Sequence, residues 1–248
     1  MTRDLHAFFS GTEIAPGARL RLTAEETSGL RPDLHTLTVF GLEEVDLYSL
    51  FSGIEVQVVS DSRILASGAA VDFARRMEDG QSVVDVTFSP GLALWEAPIS
   101  LSLPAGETVS SSMAAVLEAT GLNIPLASFT AEDLTISRPQ AFFGRAAEAL
   151  ENLAASVSGL LSLSSAGVSV SSDTTPSLVL EEDDLTSAPR RAGGNLLLCC
   201  PVAPWSVGNV LKYTWSGIER RGRILSSLIE ADSETGPWSA MVELEQII

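Results

Sequence analysis

Val83-Val84-Asp85-Val86-Thr87-Phe88 sets Val84, Val86 and Phe88 on one side of an extended chain and Val83, Asp85 and Thr87 on the other, because successive side chains on a strand point to opposite faces. The same period of two recurs in Thr36-Leu37-Thr38-Val39-Phe40, Glu55-Val56-Gln57-Val58-Val59 and Ile99-Ser100-Leu101-Ser102-Leu103. Each segment predicts a half-buried strand. Turn residues separate them at sandwich- or barrel-like spacing: Gly53, Ser60-Asp61-Ser62, Glu78-Asp79-Gly80 and Ser89-Pro90-Gly91. Later runs repeat the pattern, namely Ser177 to Leu180, Asn195 to Leu198, Val207 to Trp215, Arg223 to Ala231 and Trp238 to Leu244.

Two stretches break the period. Met113, Val116, Leu117 and Thr120 fall at helical spacing behind Thr108 and Ser110, either of which suits an N-cap, and Gly121 supplies the stop. A second helical stripe joins Phe143, Ala146, Ala147, Leu150, Leu153, Ala154 and Val157, with Arg145, Glu148, Glu151 and Asn152 off it and Gly159 at its end. Two short alternating runs around Ser165-Ala166-Gly167 then predict a hairpin. The expected fold is mainly β (β-rich α+β), with two small barrel- or sandwich-like domains and two short central helices. Residues 1–105 form an N-terminal β domain, 106–159 a helical connecting region, and 160–248 a C-terminal β domain free to pack on the first.

The 248 residues are 45% hydrophobic, enough for a sizeable core without disulfides or metal. With 32 acidic against 15 basic residues the net charge is -17, and Lys212 is the single lysine. A nucleic-acid-binding surface needs clustered Lys and Arg, so charge argues against specific nucleic acid binding and for a solvated surface or basic partner proteins. Cys199 and Cys200 are adjacent and face opposite ways on a strand, which disfavours a bridge or a shared metal and fits a reducing compartment. The segment from Met1 to His6 lacks an apolar signal core, and no run approaches a membrane span, so neither signal-directed secretion nor membrane insertion is expected.

Candidate chemistry is sparse. Glu181-Glu182-Asp183-Asp184 could offer carboxylates to a cation, but consecutive side chains diverge and the alternate spacing of a Ca²⁺ loop is missing, which favours an exposed turn. His6 and His35 are the candidates for a base near neutral pH, and neither lies in a nucleophile motif. No G-x-S-x-G elbow and no phosphate-cradling glycine pattern occurs. Trp205, Trp215 and Trp238 could stack on sugars, although aromatics near strand ends more often fill a core or an interface. No catalytic, cofactor-binding or metal residue is assigned.

The order of these features resembles the baseplate hub family of contractile-tailed phages and related injection devices. The resemblance rests on Gly106 to Leu117 followed by Thr120-Gly121-Leu122, on Phe142 to Ala154 leading into a hairpin, and on Leu197-Leu198-Cys199-Cys200-Pro201 before Val207-Gly208-Asn209-Val210-Leu211. It ends in Ser216 to Ile224 and the turn Ala231-Asp232-Ser233-Glu234-Thr235-Gly236-Pro237-Trp238. It runs from about Thr36 onward and includes no catalytic motif. The chain looks like a minimal version of such hubs, with no counterpart of the lytic or peptidase domains sometimes fused to tail-tip proteins.

The resemblance implies a homotrimer in which each subunit gives two similar β domains to a pseudo-sixfold ring. That ring joins a tail tube protein above to a spike protein below, among tape-measure and wedge proteins of the baseplate. It also implies a virion location, assembly in the host cytoplasm, and no enzyme activity or cofactor. Rival readings are a distal tail or tube-like protein, a carbohydrate- or receptor-binding module, and a metal-dependent hydrolase.

Overall fold

The computed structural model describes residues 3–42, 54–164, 167–172 and 176–247. Gly53 and the Ser165-Ala166 part of the hairpin turn lie outside these described residues. In chain order the elements are β1 (His6–Phe9), β2 (Thr12–Glu13), β3 (Leu20–Thr27), β4 (His35–Phe40), β5 (Glu55–Ser60), β6 (Arg63–Glu78), β7 (Gln81–Ser89), α1 (Leu92–Glu96) and β8 (Pro98–Leu103). Next come α2 (Val109–Ala119), β9 (Leu126–Phe129), β10 (Gln140–Arg145), α3 (Ala146–Ser156), β11 (Leu160–Ser164), β12 (Gly167–Ser171) and β13 (Leu178–Leu180). A 3-10 turn (Glu182–Asp184) precedes β14 (Arg190–Ala192), β15 (Asn195–Cys200), β16 (Val210–Trp215), β17 (Ile218–Asp232) and β18 (Trp238–Gln246). The protein is mainly β, with short helices, as the alternating segments require.

Thirteen strands of the described residues make one sheet, in the order β14-β15-β18-β17-β3-β4-β7-β6-β5-β1-β2, with β16 on β17 and β13 parallel to β16. The decisive ladder is β3 with β17, antiparallel from Ser226 opposite Thr27 to Asp232 opposite Arg21. It fuses strands from the first and last parts of the chain. Their inward side chains share one apolar core, for example Leu22, Leu37 and Val86 with Leu198, Tyr213 and Val242. Tight hairpins fix the register. Asp79 and Gly80 between β6 and β7 both have positive φ, 51° and 79°, the backbone a type I′ turn demands.

A second core lies under α2 and α3. Thr108 caps α2, its Oγ1 accepting from the Ser111 N–H at 3.2 Å, while Ser110 Oγ donates to Asp133 at 2.6 Å. Met113, Val116 and Leu117 of α2 meet Leu150 and Leu153 of α3, all fully or nearly fully buried. Complete burial of such a side chain contributes roughly 1.5–3 kcal/mol. The floor of this core is a small sheet in which β12 pairs antiparallel with β11 and parallel with β9. At Gly159 a Cβ would fall 2.4 Å from Val170 Cγ1, so a side chain there would push α3 away from β12.

Three sequence readings change. Phe143 does not belong to the helical stripe: it sits on β10 opposite Ser100 of β8 and is 76% exposed. The backbone ladder to β8 wins over a single apolar residue at helical spacing. The helix therefore begins at Ala146, whose N–H donates to the Ala97 carbonyl at 2.9 Å. The turn at Ser89-Pro90-Gly91 leads into α1, a five-residue helix too short to show a period. Strands β1 to β3 and β6 lie outside the segments named from alternation, although they supply much of the main sheet.

Candidate functional site

The acidic run Glu181 to Asp184 is an exposed, self-capped turn. The Glu181 N–H donates to Asp184 Oδ2 at 2.9 Å, and the Glu181 side chain accepts from the Asp184 backbone. The Glu181 and Asp184 carboxylates thus serve their own backbone. Among the described residues no group of three or more His, Cys, Asp or Glu could hold a metal ion.

The two histidines lie in opposite environments. His6 is half-exposed, with Nδ1 2.6 Å from Glu13 Oε1 and Nε2 3.1 Å from Asp4 Oδ2. Hydrogen bonds to Glu13 and then Asp4 raise its pKa above the ordinary value. His35 is 1% exposed, stands edge-on to Phe88 at 5.1 Å, and is pushed down to about 4 by burial. Neither imidazole is hydrogen-bonded to a hydroxyl or thiol among the described residues, the geometry that nucleophile activation needs. Cys199 and Cys200 are both free, and burial pushes the inward Cys200 thiol up to about 12, which makes it inert at neutral pH.

The tryptophans are core residues. Trp205 is 5% exposed and its Nε1 donates to the Pro201 carbonyl at 3.0 Å. Trp215 and Trp238 are half-buried against the same core. No shared exposed aromatic face exists among these three.

One polar centre was missed by reading the sequence in segments. Asp232 is completely buried at the end of β17 and accepts from Arg19 Nη2 at 2.7 Å and Nε at 3.1 Å, and from Arg21 Nε at 3.3 Å. Its Oδ1 also accepts from the Glu234 N–H at 2.9 Å. Burial pulls the Asp232 carboxyl upward, but hydrogen bonds from Arg19, the Glu234 backbone and Arg21 overrule it and hold it well below the usual carboxylate range. A Cβ on Gly236 would lie 2.4 Å from Asp232 Oδ2, so glycine is what lets the turn close over the carboxylate. Both arginines also lie over the Phe40 ring, at 4.5 and 5.3 Å. The turn Asp232-Ser233-Glu234-Thr235-Gly236-Pro237 was visible as a motif; its arginine partners lie 213 and 211 residues away.

The accessible surface carries open strand edges and exposed apolar side chains. The path of the main sheet ends at β14 on one side and β2 on the other, without closing on itself among the described residues. Strand ends of this kind present backbone groups to neighbours. Large apolar side chains also stand in solvent, with Phe143 at 76%, Met77 at 65% and Leu34 at 60% exposure. No helix among the described residues is long and apolar enough to cross a membrane.

No family model matches the sequence, and a search of curated proteins finds no match. Solved structures do match. A tail protein from Neisseria meningitidis superposes with a TM-score of 0.73 at 12% identity, covering 99% of this chain and 97% of that one. The 43 kDa tail protein of prophage MuSo2 from Shewanella oneidensis gives 0.72 at 10% identity, with 99% and 97% covered. A component of the E. coli type VI secretion system, which exhibits structural similarity to the T4 bacteriophage tail proteins gp27 and gp5, gives 0.66 at 8% identity, covering 98% of this chain and 77% of that one. The chain shares the fold of phage tail and contractile injection proteins from end to end.

Proposed function

We propose that this chain is a structural subunit of a tail baseplate, in a phage or a contractile injection device, and serves there as the hub. Three copies form a pseudo-sixfold ring joining the tail tube to the central spike, with tape-measure and wedge proteins as further neighbours. The segments 1–105 and 160–248 supply the two β units of each subunit, and 106–159 connects them. The observation that carries this reading is the end-to-end likeness to tail proteins, with 99% of this chain and 97% of the Neisseria protein superposed. Sheet ends at β14 and β2 and exposed apolar residues such as Phe143 support it, because both are covered when copies associate.

The subunit acts by shape and interface complementarity, without turnover, in the virion after assembly in the host cytoplasm. Its net charge of -17 suits a ring whose wall does not hold passing DNA. The buried Trp205 gives no support to a sugar-binding alternative. Native mass measurement and electron microscopy of the purified chain test the reading. Trimers that stack on tube protein are expected, and a chain that stays monomeric with tube and spike proteins present would overturn it.

A further inference from the structure

On β3 the residues facing the core are Leu20, Leu22, Ala24 and then Glu26, so a carboxylate occupies a place where the period calls for an apolar side chain. Glu26 borders a cavity of about 150 Å³. The walls are Leu65 and Ala66 of β6, Leu163 of β11, Trp205 of the 204–206 loop and Ile229 of β17, and the half-exposed Ser67 and Ser206 lie in the same lining. Ile64, 39% exposed, borders it toward solvent. A second recess shares Glu26 and Leu163 and adds Asp33 and Arg31.

Nothing in this lining compensates the Glu26 charge. Among the described residues Glu26 is the single ionisable one lining the larger cavity; the contributions of β6, β11, β17 and the 204–206 loop are all uncharged. In the adjoining recess Asp33 is held by the Thr27 N–H at 2.7 Å and Thr27 Oγ1 at 2.8 Å, and adds a second negative charge. Arg31 is exposed and does not offset it. Burial first, and the Asp33 charge second, push the Glu26 carboxyl up to about 7.

We propose that this cavity is an acceptor site for a single basic side chain, a lysine or arginine presented by a partner protein, with the aliphatic stem against Trp205, Leu163 and Ile229 and the cation on Glu26. The chemistry fits at each depth. A basic side chain is an apolar stem carrying a charged head, and the cavity is an apolar passage with one carboxylate. The volume is several times the roughly 10–15 Å³ that one water requires. Ser67 and Ser206 offer hydroxyls to the backbone of the segment that bears the side chain. An incoming cation also draws the Glu26 proton off, so binding strengthens as pH rises through about 7. The cavity is built within one chain, and the inference stands whether or not three copies form a ring.

The test is a titration of the full chain followed by the Trp205 indole N–H resonance, with n-butylammonium, n-butanol, putrescine and the peptide acetyl-Ser-Lys-Ser-amide as probes. The peptide and n-butylammonium should shift that resonance, n-butanol should not, and Glu26→Gln should weaken the cations about tenfold or more. Affinity of the wild-type chain for n-butylammonium should rise between about pH 6 and pH 8, and this series alone decides the matter should Glu26→Gln fail to fold. Equal shifts from n-butanol, or no shift from the cations, would overturn the proposal. Putrescine binding more tightly than the peptide would overturn the assignment to a protein partner.

Discussion

Two carboxylates stand at opposite ends of the same ladder, and they behave in opposite ways. Asp232, across from Arg21, is completely buried and answered by Arg19 and Arg21. Glu26, across from Ser227, faces the interior with no basic side chain among the described residues that line its cavity. One is held well below the ordinary range and the other rises to about 7. Burial pushes both upward, so the difference comes from the donors around them. A carboxylate that is fully bonded locks two strands together; one left unanswered keeps a place open.

Asp232→Ala should have the largest effect. It strands two arginines beside the seam and unties the 232–237 turn, and should cost about 3–4 kcal/mol in urea unfolding. A loss below about 1 kcal/mol would show that the ladder does not depend on this centre.

His35 asks whether burial alone shapes the pH profile. Its folded pKa, about 4, lies below the ordinary 6.5, so its contribution to stability is complete above about pH 6.5 and is lost as pH falls toward 4. The loss should reach about 3 kcal/mol, and His35→Leu should abolish that part of the acid profile.

Glu26 should behave with the opposite sign. Its folded pKa is raised, so its contribution is complete below about pH 4.5 and is lost as pH climbs through 7. Because the His35 gain overlaps this window, the Glu26 share is read as the difference between the parent and Glu26→Gln: thermal unfolding from pH 5 to pH 8 should show the parent losing about 2 kcal/mol relative to that variant once partial exposure is allowed for. An unchanged slope in that variant would erase the contrast with Asp232. The smallest effect is expected at the exposed turn, where Glu181→Ala with Asp184→Ala should shift stability by roughly 0.5 kcal/mol, with or without divalent cations.

Much of the fold could be read from the sequence because its signals are local. Val84, Val86 and Phe88 are fully buried on β7, and Thr108, Met113 and Gly121 mark out α2 as their chemistry requires. What escaped was set by distant partners or by lost alternation. Phe143 went to a strand because β8 lies beside it. Beyond Ala70, β6 is exposed apart from the half-buried Phe73 and Glu78 and shows no period to detect. The alternation of Leu20, Leu22 and Ala24 on β3 was present in the sequence, and reading it would have exposed Glu26 as the odd member. The Asp232 centre had no local sign of its arginines. Trp205, Trp215 and Trp238 proved to be packing residues, in keeping with the ordinary use of aromatics near strand ends.

The pairing of β3 with β17 has a consequence for synthesis. A ribosome releases Leu20–Thr27 long before Ile218–Asp232 exists, so the early strand must wait with one border bare while all the residues between them are made. Only when Ser226–Asp232 emerges can the molecule zip shut, and any message truncated before that point leaves a product with an adhesive flank.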